Sequence, residues 1–139
     1  MRGDRYIGGV EVADNKEVVL QFWDAFSNSR FDEALGLLAE DATWWIAGTT
    51  DISGEYSKQQ FGELMLGIAE NAPNGIKVTP EALTAEGDRV SMEAESYGEI
   101  SNGKVYNNFY HFMHTLRDGK LVSVKEYLDT QHVQDVFGN

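Results

Sequence analysis

One acidic side chain, Glu126, falls on the apolar face Val122, Val124, Leu128 of the chain's last predicted strand. A carboxylate in such surroundings is costly unless it is paired or put to use. Burial disfavours its charged form and raises its pKa, which suits a group that takes and returns protons near neutrality. What stands across from Glu126 depends on the turn at Arg117-Asp118-Gly119. A three-residue loop with Gly119 left-handed pairs Leu116 with Lys120 and sets Tyr110 opposite Glu126. Tyr106, Asn108, Phe112, His114 and Leu116 then share that face. A two-residue Asp118-Gly119 loop instead sets His111 opposite Glu126, with Phe109 and Met113 as neighbours. The first register is preferred because Phe112, Leu116, Val122, Val124 and Leu128 then form one continuous apolar surface. In it His114 lies about 13 Å from Glu126 at strand rise, too far for a direct hydrogen bond.

Other chemistries are thin. His111, His114 and His132 are not spaced with acids as a ligand set, so no metal is expected. The absence of cysteine excludes disulfides, thiolate nucleophiles and zinc-thiolate or iron-sulfur sites. A formal net charge of −12 argues against nucleic acid and anionic membrane surfaces as partners. No apolar run approaches the roughly 20 residues needed to cross a bilayer, and Met1 to Asp14 lacks the apolar core of a secretory signal. A soluble, cytoplasmic protein is expected.

The elements that must position Glu126 can be read from periodicity. At 139 residues, with 42% hydrophobic and 12% aromatic content, the chain suits one domain with a real core. Residues 1–14 read as an irregular arm. Asp14 to Glu17 has capping-box spacing, and Val18, Val19, Phe22, Trp23 and Phe26 recur at helical intervals. Phe31, Ala34, Leu35 and Leu38 predict a short second helix ending before Glu40-Asp41. Ala42 to Ala47 reads as a strand. Ser57 to Gln60 predicts a second capping box, followed by Phe61, Leu64, Met65 and Ile68 on one helical face. After Gly75 come strands over Ile76–Ala85, Val90–Ile100, Lys104–Leu116 and Leu121–Asp129, separated by Gly87-Asp88, Asn102-Gly103 and Asp118-Gly119. On Val90–Ile100 the apolar parity is Val90, Met92, Ala94 and Ser96, with Glu93 and Glu95 on the other face. Helices first and a meander afterwards means α+β, a curved antiparallel sheet with three helices packed on its concave face.

The order of elements carries a resemblance, together with Leu38-Ala39-Glu40-Asp41-Ala42-Thr43 after the second helix and Asp118-Gly119-Lys120-Leu121 leading into Glu126-Tyr127-Leu128-Asp129. Over about Asn15 to Thr130 the chain resembles the SnoaL-like family of the nuclear transport factor 2-like superfamily, which also holds ketosteroid isomerases and limonene epoxide hydrolases. The resemblance implies a cone-shaped barrel enclosing a pocket, with a SnoaL-like domain over 15–130 and a C-terminal tail over 131–139. It does not imply one chemistry. Matched to ketosteroid isomerases, Phe22 falls at their tyrosine and Ile46 at their aspartate, and neither side chain can replace those groups. Matched to limonene epoxide hydrolases, Glu126 falls at one catalytic acid, but Ser96, Ala94, Trp44 and Ile46 fall where the second acid, arginine, tyrosine and asparagine stand. SnoaL-type cyclases need only a greasy cavity and one acid for an aldol closure, a role that Glu126 can fill.

The resulting expectation is a small-molecule-binding protein, with a cofactor-free acid-base enzyme of isomerase or cyclase type as its sharper form. The ligand would be a hydrophobic cyclic or carbonyl compound. Glu126 and Tyr110 are the expected catalytic pair. Asn108, His114 and Ser96 would supply polar contacts, and Trp44, Phe22 and Phe112 would supply walls. The alternative is a noncatalytic ligand-binding or protein-interaction module whose cavity is filled by side chains. Trp44 and Trp45 must face opposite ways, and an outer face carrying Phe109, Met113 and Tyr127 calls for cover, so a homodimer through the sheet face is expected.

Overall fold

The computed structural model describes residues 5–7, 10–12 and 14–138. Helix α1 (Asn15–Ser27) starts where Asp14 accepts the Lys16 N–H at 2.7 Å and buries Val18, Val19, Phe22, Trp23 and Phe26. Each large apolar side chain removed from water on this stripe contributes about 1.5–3 kcal/mol before entropy is charged against it. Helix α2 (Phe31–Gly36) stops earlier than its apolar spacing suggests, because Leu37 is drawn into the sheet and its C=O accepts the Leu121 N–H at 2.8 Å. Helix α3 (Lys58–Asn71) opens on the expected capping box. Ser57 Oγ accepts the Gln60 N–H, Gln60 Oε1 accepts the Ser57 N–H, and Phe61 and Met65 are buried.

Residues 5–7 and 10–12 form two short antiparallel strands, β1 (Arg5–Ile7) and β2 (Val10–Val12), within the stretch expected to be an irregular arm; apart from Asp14, the rest of that arm lies outside the described residues. The main sheet comprises β3 (Leu38–Ile46), β4 (Gly54–Ser57), β5 (Lys77–Glu86), β6 (Arg89–Glu99), β7 (Val105–Tyr106), β8 (Phe109–Arg117) and β9 (Lys120–Leu128). Its order is β4-β3-β9-β8-β6-β5, with β7 on β6. The α+β class holds, with three corrections. The sheet is an open one rather than a closed barrel, it is mixed because β3 and β9 run parallel, and a fourth helix, α4 (Thr130–Phe137), occupies the predicted tail. Asp129 caps α4 by accepting the His132 N–H, and Val133 and Val136 are buried, so a segment of modest apolar content folds once the sheet offers a surface.

The last hairpin departs from expectation twice. Asp118 and Gly119 both have positive φ, 51° and 76°, and make a two-residue turn that pairs Arg117 with Lys120. A bulge then sets Leu116 against Leu121 but Thr115 against Ser123, so Val122 is the extra residue. The bulge restores the even parity that the three-residue loop was expected to give. As a result Phe112, not Tyr110 or His111, stands opposite Glu126. The predicted strand over 104–116 is also broken at Asn107-Asn108, where the Asn108 side chain takes up backbone N–H groups of Phe109 and Asp129.

Candidate functional site

Between α1, α3 and the sheet lies a cavity of about 410 Å³, walled chiefly by Trp44, Phe61, Phe112, Tyr106, Tyr110 and Glu126. Trp44 comes from β3, where it lies beside Val124 of β9 in the parallel pair, with Ile46 beside Glu126. Its indole stacks on Phe61 at 3.9 Å between centroids and 13° between planes, which fixes the direction of its N–H. That N–H donates to Glu126 Oε1 at 2.9 Å. No cation pairs with Glu126 among the described residues. Burial drives its carboxyl up to about 7, and the Trp44 hydrogen bond pulls the other way. Near neutral pH both protonation states are therefore populated.

Tyr110 stands two residues along β8 from Phe112, stacked on it at 4.8 Å and 13°. Its hydroxyl meets that of Tyr106 at 2.6 Å. Burial, then the charge of neighbouring groups including Glu126, pushes the Tyr110 hydroxyl well above its ordinary range. Phe112 and Trp44 both line the cavity.

The other expected contacts are spent elsewhere. His114 is fully buried but does not line the cavity: its Nε2 accepts the Trp23 indole N–H at 3.0 Å and its Nδ1 faces the Val90 C=O at 2.9 Å. Indole can only donate, so Nε2 is the acceptor and Nδ1 carries the hydrogen. Burial lowers the His114 pKa to about 4, which keeps the ring neutral. Asn108 is buried and holds the β7–β8 break to Asp129, while Ser96 accepts the Asn108 N–H at 3.1 Å. Phe22 packs behind Trp44 at 5.6 Å as core, not wall. His111 lies opposite Tyr127 on the other sheet face and contacts Ser91.

Residues that the sequence reading passed over complete the chamber. Tyr106 had the right parity but no assigned role, and it is held by stacking on His132 of α4. Phe61, Leu64 and Ile68 enter from α3, a face whose apolar spacing was visible while its target was not. Phe137 comes from α4, for which the sequence held little helical signal. Among the described residues no group of three or more His, Asp or Glu could hold a metal ion, and no helix is long and apolar enough to cross a membrane.

A family model described as a SnoaL-like domain matches residues 19–124. Among solved structures, TerC co-crystallised with polyporic acid is 18% identical with a TM-score of 0.77, covering 90% of this chain and 98% of its own. An NTF2-like protein from Burkholderia xenovorans LB400 is 24% identical with a TM-score of 0.71, over 87% of this chain and 93% of that one. IdmH of Streptomyces antibioticus, a proposed polyketide cyclase, is 16% identical with a TM-score of 0.74, over 91% of this chain and all of that one. At these identities the likeness is one of fold. No protein of curated function matches the chain.

Proposed function

The chain belongs to the SnoaL-like domain family, and from that premise we propose that it binds a small hydrophobic cyclic or carbonyl compound and performs cofactor-free acid-base chemistry on it through Glu126. One observation carries this reading: a carboxyl with a single indole partner and a pKa near 7 opens on an apolar space of about 410 Å³. That volume lies within the roughly 300–1,000 Å³ of ordinary ligand sites. A collapsed core would have favoured the interaction-module alternative.

The chemistry follows from the proton balance. As carboxylate, Glu126 takes a proton from carbon next to a ligand carbonyl, and the C–H electrons move onto the carbonyl oxygen as an enolate. As carboxylic acid, it returns that proton to another carbon in an isomerisation. In a ring closure the enolate carbon attacks a second carbonyl and the proton goes to the new alkoxide. A pKa near the working pH serves both directions.

Exchange of α-hydrogens of a bicyclic ketone such as 2-tetralone for deuterium, followed by NMR, tests the proposal. Exchange catalysed by the protein and lost in Glu126→Gln is expected. Binding without catalysed exchange would leave a noncatalytic ligand-binding module. The assembly belongs to the same proposal: Phe109 and Tyr127 are 59% and 45% exposed on the outer sheet face, which suits a homodimer. Light scattering should report twice the 15.5 kDa chain mass. A monomer at micromolar concentration contradicts it.

A further inference from the structure

Two tyrosine hydroxyls meet at the cavity wall with more hydrogens than acceptors. The Asn108 side chain is oriented by its own partners, since its Oδ1 accepts the N–H groups of Phe109 at 2.7 Å and Asp129 at 3.0 Å. Its Nδ2 must therefore be the atom that donates, one hydrogen to the Asp129 C=O at 3.0 Å and one to the Tyr106 hydroxyl at 3.1 Å. Ser96 Oγ accepts the Asn108 N–H at 3.1 Å and turns its own hydrogen toward the Tyr110 hydroxyl at 3.4 Å. Each phenol oxygen thus faces a donor already committed to it. A single O–H bond joins Tyr106 to Tyr110 at 2.6 Å, and the second phenol hydrogen has no acceptor among the described residues.

Whichever tyrosine donates to its neighbour, the neighbour keeps a spare hydrogen beside the cavity. Its oxygen accepts from the other groups, which strengthens the remaining O–H as a donor. Burial raises both hydroxyl pKa values above the ordinary range, so both stay protonated at neutral pH. Among the described residues no lysine, arginine or histidine lines the cavity, whereas the carboxylates Glu126 and Glu63 do. A ligand carboxylate would meet two acidic side chains and no described cation there, whereas a neutral carbonyl oxygen is a direct match for the spare donor.

We propose that the Tyr106–Tyr110 pair is the docking point for a neutral carbonyl oxygen, so that the ligand is a ketone or enone rather than a carboxylic acid. The inference rests on the pocket reading above and adds its substrate class. When Glu126 removes the neighbouring proton, the charge that develops on oxygen falls on the same O–H donor.

The test is the infrared carbonyl stretch of 2-tetralone, carrying carbon-13 at the carbonyl, bound to the full chain. In the wild type the band shifts to lower frequency relative to the Tyr106→Phe/Tyr110→Phe double variant. Each single variant keeps the shift, because removing one phenol frees the hydrogen of the other. Glu126→Gln keeps it too. Equal frequencies in wild type and double variant overturn the inference, as does loss of the shift in both single variants. A competition on the wild type alone needs no variant to fold: 2-tetralone should bind at least about tenfold more tightly than 2-naphthoate, and parity or the reverse overturns it. No binding of the ketone to wild type removes the pocket reading and this inference together, whereas binding with an unshifted carbonyl removes this inference alone.

Discussion

Two buried titratable groups, His114 and Glu126, stand twelve residues apart in sequence and divide this molecule into a closed end and an open one. His114, beneath α1, has both ring nitrogens occupied by Trp23 and Val90 and does not line the cavity. Glu126 has one oxygen held by Trp44 and a cavity beside it. Both are displaced from their ordinary pKa values by burial, to about 4 and about 7. Perturbation alone therefore does not separate a structural group from one with the role proposed for Glu126. Unspent hydrogen-bonding capacity next to open space does.

The strongest way to break this comparison is to remove the carboxylate. Glu126→Gln keeps shape and the Trp44 contact, and the deuterium exchange of 2-tetralone should fall by about 10²- to 10⁴-fold. An unchanged rate would place the base elsewhere. His114→Ala should do the reverse, costing about 3 kcal/mol or more in urea unfolding by leaving a void and an unpaired indole N–H. Its refolded fraction should bind ketone with near wild-type affinity, and a lost affinity would join the two ends.

The pH dependence of stability sharpens the contrast, because the two groups have opposite slopes. The native state holds the Glu126 proton more tightly than the unfolded chain does, so its contribution to stability declines as pH rises from about 4.5 to about 7. Glu126→Gln should thus be more stable than wild type at pH 8 by up to about 3 kcal/mol, with the gain vanishing at pH 4. His114 is protonated more readily in the unfolded chain, so its contribution is lost as pH falls from about 6.5 to about 4. Urea titrations of both variants across this range read the two slopes. The smallest effect concerns the indole: Trp44→Phe removes a donor that favours the charged carboxylate, and the carboxyl carbon midpoint of Glu126 should move up from about 7 by roughly one unit. A downward move would show that burial is not the dominant cause.

What the residues alone determined is local. The apolar stripe Val18, Val19, Phe22, Trp23, Phe26 specifies a helix and its inward face, and Ser57 with Gln60 marks the start of α3. Alternation on β6, β8 and β9 puts Glu126, Phe112 and Tyr110 inward, since side chains on a strand change face at every residue. Tertiary structure decided which polar atoms remain free. The bulge at Val122 set Phe112 across from Glu126, and the parallel β3–β9 pair delivered the Trp44 N–H to a carboxylate 82 positions away in sequence. Asn108, Ser96 and His114 were legible as inward polar groups, yet their capacity is consumed by Asp129, Asn108, Trp23 and Val90, contacts that form only when distant strands and helices meet. Periodicity encodes the face that a side chain presents, a property of its own segment. Whether that side chain is satisfied or left over depends on every element packed around it.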